Sequence, residues 1–405
     1  MRSSAEAHKL MSRPIRVLVD ARMLIGRFSG VARVVTRLVE QLARRDDIHV
    51  IALCGSEPYA PWSTRADIEV IRSSFARHHR TPGPRWRWEQ ANLSCVIAEA
   101  NADVYHATWN SGIPRNASVP CVLTIHDLIP WAEPKVDFSS AVQAWRYRRA
   151  VRASARRADH VTTVSEHVRA DVIARLRSSP NRVVCVPNGV DVPSIRAEAD
   201  PAEPPYVLYV GGHEPRKNLA GLFVAIQRYW EREGMTLELR LTGRPETLSA
   251  HAREAYRRLP ADAPVRFLGD INDDDLSRQY RSARALLLLS KAEGFGLPVL
   301  EAMAHRCPVI ASARGALPEV VGDAGLLVNP DGPAQVVAAI SSLISTSHLR
   351  EDLIARGVHR AAMFSWSQTA ESLVEVYQEA LSRHAFRTAP FVPNLQSRQV
   401  ALTPS

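Results

Sequence analysis

Ser290-Lys-Ala-Glu-Gly-Phe-Gly-Leu-Pro-Val-Leu-Glu-Ala-Met-Ala304 decides how the whole chain is read. The apolar run before it, Ala285 to Leu289, has the length and unbroken hydrophobicity of a strand buried on both faces of a parallel sheet. The run ends at Ser290. A loop with Gly294 and Gly296 follows, and Pro298 stands where a helix would begin, a place that suits its fixed φ and missing N–H. Val299, Leu300, Ala302, Met303 and Ala304 continue that helix. A strand, a glycine loop and a helix start aim unpaired backbone N–H groups at one point. The helix dipole adds its positive end, so an anion is the natural occupant.

Two acids frame that point. Glu293 lies in the loop and Glu301 one turn into the helix, with seven residues between them. A carboxylate beside a phosphate would repel it. Sugar hydroxyls, by contrast, are donors that carboxylates accept well. A diphosphate flanked by two polyols, as in a nucleotide sugar, fits the arrangement. The alternative is that Glu301 is a solvated helix residue favoured by the dipole. Spacing alone leaves both readings open.

At 405 residues the chain is long for one core and predicts two domains. With 46% hydrophobic residues it reads as globular, which excludes a disordered or fibrous class. No run of roughly eighteen apolar residues occurs, so no membrane span is expected. Met1 to Arg13 is polar, so no export signal is expected there. Cys54, Cys95, Cys121, Cys185 and Cys307 show no metal-ligand spacing, and their odd number predicts reduced, buried thiols and a cytoplasmic setting. The net charge of +9 suits phosphate-bearing substrates, anionic lipid or nucleic acid, or reflects a general arginine bias.

Ile15 to Val19 is a first strand, ending at Asp20-Ala-Arg22. A loop with Gly26 and Gly30 then leads into a helix whose Val31, Val34, Val35, Leu38 and Leu42 recur at helical spacing. At Gly30 a ligand can approach backbone that a Cβ would block; a tight connection without a ligand is the alternative. Further strands are His49 to Cys54, Asp103 to Ala107, Cys121 to Ile125, Val161 to Val164 and Val183 to Pro187. In the second half they are Tyr206 to Val210, Leu237 to Leu241, Val265 to Gly269, Pro308 to Ala311 and Leu326 to Val328. Helical patterns alternate with them throughout. The fold class this predicts is α/β, with a parallel sheet in each half. Residues 14–195 and 206–365 form the domains, joined by a proline- and acid-rich linker at Ser194 to Pro205. Residues 366–386 are a terminal helix and 387–405 a loose tail.

Three features point to chemistry. His126 leaves the carboxyl end of the strand Cys121 to Ile125, where open α/β sheets place ligands. Arg216 and Lys217 follow a glycine turn at a strand end, just before a helix. Cations there oppose the helix dipole, a placement that favours a bound diphosphate over a bare helix start. Asp273-Asp-Asp275 suggests a metal, but the acids precede Leu276 to Tyr280 and read better as a helix cap and first turn. No metal and no cofactor are expected.

Two arginine-rich segments stand apart. Arg72, Arg77, Arg80, Arg85 and Arg87 interleave with Phe75, His78, His79, Trp86 and Trp88. The helix Ala141 to Ala158 carries Arg146, Arg148, Arg149, Arg152, Arg156 and Arg157. They suit a membrane interface or a phosphate-bearing acceptor, with ordinary solvated faces as the default.

The stretch from Glu293 to Glu301 resembles the donor-site motif of retaining glycosyltransferase family 4. Supporting pieces occur in family order: Gly30-Val-Ala-Arg33, Thr124-Ile-His-Asp-Leu-Ile-Pro130, Thr163-Val-Ser165, Val186-Pro-Asn-Gly-Val-Asp191, Gly211-Gly-His-Glu-Pro-Arg-Lys-Asn218 and Leu317-Pro-Glu-Val320. The resemblance implies two facing Rossmann-like lobes, the GT-B arrangement, with the active site in the cleft between them. The first lobe would bind the acceptor and the second the nucleotide sugar, and the terminal helix would cross back onto the first. It implies that Arg216 and Lys217 neutralise the leaving diphosphate together with backbone near Phe295, Gly296 and Leu297. Gly30 would line the phosphate, and Glu293, beside Gly294, would accept donor-sugar hydroxyls. Glu301 would hold the ribose, and His126 would sit by the sugar and its departing oxygen. Two positions depart from the family: Arg306 stands where many members have glycine, and Lys291 where neutral or aromatic residues are frequent.

The same resemblance, closest to bacterial mannosyl- and rhamnosyltransferases of surface polysaccharide assembly, implies metal-free transfer of mannose from GDP-mannose with retention. The acceptor would be a lipid-linked saccharide. UDP-glucose-type and dTDP-rhamnose donors are the alternatives. A nucleotide-sugar epimerase or a non-catalytic nucleotide-sugar-binding protein are those of another class. A peripheral position on the inner face of the cytoplasmic membrane is expected, and no nucleic-acid partner.

Overall fold

The computed structural model describes residues 13–24, 30–56, 62, 64–75, 82–132, 138, 140–193 and 204–388. Gly26, Arg77, His78, His79, Arg80, most of the linker read at Ser194 to Pro205, and the tail beyond Thr388 lie outside them. Among the described residues the strands form two sheets, and every strand pair in them is parallel. The first sheet holds β1 (Ile15–Asp20), β2 (Ile48–Cys54), β3 (Ile68–Arg72), β4 (Val104–Ala107), β5 (Cys121–Ile125), β6 (His160–Thr163) and β7 (Val183–Cys185), in the order β3-β2-β1-β4-β5-β6-β7. The second holds β8 (Tyr206–Tyr209), β9 (Glu238–Leu241), β10 (Val265–Phe267), β11 (Ala285–Leu288), β12 (Val309–Ser312) and β13 (Leu326–Val328), in the order β10-β9-β8-β11-β12-β13. Both orders reverse beside their first strand, which opens a crevice at the carboxyl ends of β1 and β4 and of β8 and β11. The loops bearing His126, Lys217 and Glu293 leave from carboxyl ends of β5, β8 and β11.

Period-two alternation divides the first lobe's core. Val17 and Val19 of β1 pack with Val35, Leu38, Val39 and Leu42 of the helix Gly30–Leu42. Leu18, between them, faces the other side with Leu93 and Ile97 of the helix Pro82–Glu99 and Val151 of the helix Ala141–Arg157. β3 was not read from the sequence; it is one of the sheet's two edge strands and is only half-buried.

The terminal helix Trp366–Thr388 runs two residues beyond the expected end and packs on the first lobe. Leu373, Val374, Tyr377 and Ala380 lie in the same core cluster as β1. Tyr377 Oη is 2.7 Å from His106 Nδ1 inside that core. The crossing is tight: Val190 N–H donates to Phe364 O at 2.9 Å, and a Cβ on Gly189 would lie 2.3 Å from the Trp366 nitrogen. Arg306, where many family members have glycine, keeps a left-handed φ of 62°, a conformation that glycine adopts without strain. Of the five cysteines, Cys54, Cys121 and Cys307 are buried, but Cys95 is exposed.

Candidate active site

The helix Leu297–Ala304 begins as the sequence predicts. Gly296 is its N-cap with φ 103°, and Pro298 lies in the first turn. A side chain at Gly296 would be strained and would also meet Leu317 Cδ2 at 2.5 Å. Phe295 points into the core, its ring edge-on to Phe364 at 5.9 Å, so only its backbone is available to a ligand. Gly30 opens the helix across the cleft, and a Cβ there would have Leu297 Cδ1 as its nearest neighbour, 3.9 Å away.

Glu293 sits at the centre. Its carboxylate is buried and accepts from Lys217 Nζ at 2.6 Å, Ser290 Oγ at 2.6 Å and Arg216 Nη1 at 3.3 Å. Burial alone would raise this carboxyl, but Lys217 and Arg216 hold it below the usual carboxylate range. Arg216 and Lys217 form a 3-10 turn after β8, and Lys291 N–H donates to Arg216 O at 2.7 Å, which joins the β8 loop to the β11 loop. The two predicted phosphate cations thus pair with the carboxylate predicted to take the sugar hydroxyls.

His126 faces the same loop from the other lobe. A Cβ on Gly294 would lie 2.1 Å from His126 O, so backbone meets backbone across the cleft, and Ser165 Oγ donates to Gly294 O at 2.8 Å. His126 N–H donates to Asn110 Oδ1, and its Nε2–H donates to Thr108 O, both at 2.9 Å. Burial pushes its imidazole down to about 4, with the Thr108 carbonyl opposing that shift. The ring is therefore neutral at pH 7, and with Nε2 protonated it offers Nδ1 as an acceptor.

Glu301 is bound on both oxygens. Arg33 Nη1 lies 2.5 Å from Oε1, and Tyr280 Oη donates to Oε2 at 2.8 Å. The other arm of Arg33 pairs with Asp273. A cavity of about 220 Å³ is lined here by Arg33, Asp273, Tyr280, Leu297, Glu301 and His305. Asp273 to Asp275 form the first turn of the helix Asp273–Ser282, while the cap itself is Asn272. No group of three or more potential metal ligands occurs among the described residues.

Residues 28–193 match the family described as Glycosyltransferase Family 4, and residues 192–360 match Glycosyl transferases group 1. The O-antigen chain mannosyltransferase B of Escherichia coli is 32% identical over 286 residues, which span 68% of this chain and 74% of that protein. This chain belongs to glycosyltransferase family 4. Another relative is the MMP alpha-(1->4)-mannosyltransferase of Mycolicibacterium hassiacum, 30% identical over 235 residues, 57% of this chain and 56% of that one. Among solved structures, sucrose-phosphate synthase from Thermosynechococcus elongatus superposes with a TM-score of 0.73 at 21% identity, covering 92% of this chain and all of that one. Anabaena HepE in complex with UDP and glucose gives 0.68 at 18% identity, over 90% and 100%. At such identity they establish the GT-B fold.

In this family 4 glycosyltransferase the structure brings Gly30, His126, Arg216, Lys217, Glu293, Gly294, Gly296, Leu297 and Glu301 to one cleft. Three residues without an assigned role in the sequence reading join them. Arg33 clasps Glu301 from the opposite lobe. Asn110 holds the His126 backbone. Glu319 accepts the N–H groups of Glu166 and His167 at 2.9 and 3.1 Å, so an acid of one lobe caps a helix of the other. Arg33 and Glu319 lay within quoted family motifs, but nothing in local periodicity marked them.

Proposed function

We propose that this enzyme transfers mannose from GDP-mannose to a saccharide hydroxyl, with retention and without a metal. The supporting observation is the buried Glu293 held by Lys217 and Arg216, with His126 facing its loop across the cleft. The mannosyltransferase relatives favour mannose as the sugar. An arriving diphosphate competes with Glu293 for Lys217 and Arg216, which frees the carboxylate for donor-sugar hydroxyls. Glu301 exchanges Arg33 for the ribose. Backbone at Gly30 and at the start of the helix Leu297–Ala304 lines the phosphates. The anomeric carbon–oxygen bond breaks as the acceptor oxygen attacks from the same face, and a departing phosphate oxygen takes the acceptor's proton. Lys217 and Arg216 stabilise the charge that develops. Incubation with GDP-mannose, an α-mannoside acceptor and EDTA should yield an α-linked product, read from the anomeric one-bond C–H coupling. A β-linked product, or loss of activity in EDTA restored by magnesium or manganese, contradicts the reading.

The acceptor is proposed to be lipid-linked, met at an anionic membrane surface on the cytoplasmic side. Here the structure corrects the sequence reading. Trp88 and Arg85, expected at the interface, are buried: Trp88 packs on Phe75, and Arg85 pairs with Glu89 at 2.8 Å. The exposed residues include Trp86 and Arg87 on the helix Pro82–Glu99, and Val142, Trp145, Arg146, Arg149, Arg152 and Arg156 on the helix Ala141–Arg157. Trp145 is 58% exposed, with Arg149 stacked on it at 5.5 Å. No helix among the described residues is long and apolar enough to cross a membrane. Each arginine near an anionic surface contributes about 1 kcal/mol. Co-sedimentation with anionic but not neutral vesicles is expected, weakened by salt and by changing Arg146, Arg149 and Arg152 to Glu. Wild-type protein left in the supernatant by anionic vesicles at low salt would remove the membrane from the account.

A further inference from the structure

Beside the cleft, the first lobe holds a buried set of charges that the transfer chemistry does not use. Asp20 ends β1 and Arg22 stands two residues on, their side chains paired at 2.6 Å. Arg22 also reaches Glu89 at 3.4 Å and lies over the rings of Phe75 and Trp88 at 5.0 and 4.8 Å. Arg85 pairs with Glu89 and donates to Ser111 O at 3.1 Å. Two cations and two anions balance, and all four are buried. Removing a single partner from such a set is strongly destabilising, whereas the intact set adds little to stability and serves to fix geometry.

One member of this set, Arg85, lies against Trp109. The Arg85 guanidinium lies 5.9 Å from its ring centre. The His126 ring is 6.5 Å away, tilted against it. Its neighbours in sequence are committed to that histidine: Thr108 O accepts from His126 Nε2, and Asn110 Oδ1 accepts from His126 N. Asn110 Nδ2 in turn donates to Asp127 O at 2.8 Å. Trp109 itself is only half-buried. A large aromatic ring thus stays partly open to solvent at the carboxyl end of β4, one ring from the residue assigned to the donor sugar. Pyranose rings carry an apolar face of axial C–H groups, which packs on the negative face of an indole.

We propose that Trp109 is the platform on which the acceptor's sugar ring stacks, held in place by the buried Arg85–Glu89 pair. This rests on the reading of His126 as the donor-sugar side of the cleft. It makes the acceptor subsite selective for a saccharide with one unencumbered apolar face, and it places that ring on the first lobe while the donor stays on the second.

The test uses methyl α-D-mannopyranoside as the probe, followed by saturation-transfer difference NMR in the presence of GDP. Wild type, Trp109→Phe and Trp109→Ala are compared, and melting with GDP-mannose is recorded for each. Loss of the ring should weaken saccharide binding about tenfold, the size of an aromatic contact. Trp109→Phe should recover most of it, which a merely space-filling role would not require. The GDP-mannose shift should be alike in all three. Saccharide binding unchanged in Trp109→Ala, equally lost in Trp109→Phe, or undetectable in wild type overturns the proposal. If instead no nucleotide sugar shifts the wild-type melting point, the donor reading itself fails and this inference falls with it.

Discussion

Lys217→Ala should lose on the order of a hundredfold or more in turnover, as expected for removing one preorganised charge from a developing anion. Lys217 is the shorter of the two contacts to Glu293, at 2.6 Å against 3.3 Å for Arg216. Its loss acts twice. The departing diphosphate keeps one cation in place of two, and Glu293 is left buried with Arg216 and Ser290 alone, so that its carboxyl rises toward protonation. The second effect blunts it as an acceptor of sugar hydroxyls. Turnover of purified Lys217→Ala, with melting and circular dichroism to verify folding, checks this. Near-normal turnover in a folded variant would remove Lys217 from the mechanism.

Gly294→Ala should be almost as damaging, for a geometric reason. The added methyl would lie 2.1 Å from His126 O and 2.9 Å from Asp127 Cβ, and the first of these is backbone that cannot swing aside. The contact lies between two lobes that are each built on their own parallel sheet, so they can shift apart there instead of unfolding. A misplacement of about 1 Å in such a site lowers rate by roughly a hundredfold. The expected result is a large loss of turnover with the melting point nearly unchanged. A larger radius of gyration in small-angle scattering should accompany it. Full activity, or wholesale unfolding, would show that the lobes do not meet at Gly294 as described.

The parts of this site that were legible in the sequence are those written in local pattern. The strand–glycine–proline order from Ala285 to Pro298 could be read because each residue type is placed by its own backbone chemistry, and Gly296 takes the positive φ that its position demands. The lobe-to-lobe contacts were not legible. Arg33 and Glu301 are 268 residues apart, and no periodicity links a helix start in one lobe to a helix in the other. The arginine- and tryptophan-rich helix Pro82–Glu99 failed for a different reason. Trp86 and Trp88 are two residues apart, so they project about 200° from each other on a helix and only one can face the core. Its apolar residues form no clear stripe, so the sequence does not say which. The structure buries Trp88 against Phe75 and leaves Trp86 outside. The predicted helix cap at Asp273 was displaced by one residue for a simple cause: the neighbouring Asn272 side chain accepts from Asp275 N–H, while Asp273 turns to Arg33.

The central claim is that a nucleotide sugar binds where Lys217 and Glu293 now hold each other. Thermal melting of wild type and Lys217→Ala against a panel of GDP-mannose, UDP-glucose, dTDP-rhamnose and free nucleoside diphosphates tests it most directly, because a ligand bound only by the folded state raises the melting point in proportion to its occupancy and affinity. The account predicts the largest rise for GDP-mannose in wild type and a much smaller one in Lys217→Ala. A larger rise with UDP-glucose or dTDP-rhamnose would replace the donor and keep the site; no rise with any nucleotide sugar, or an equal rise in both proteins, would contradict it.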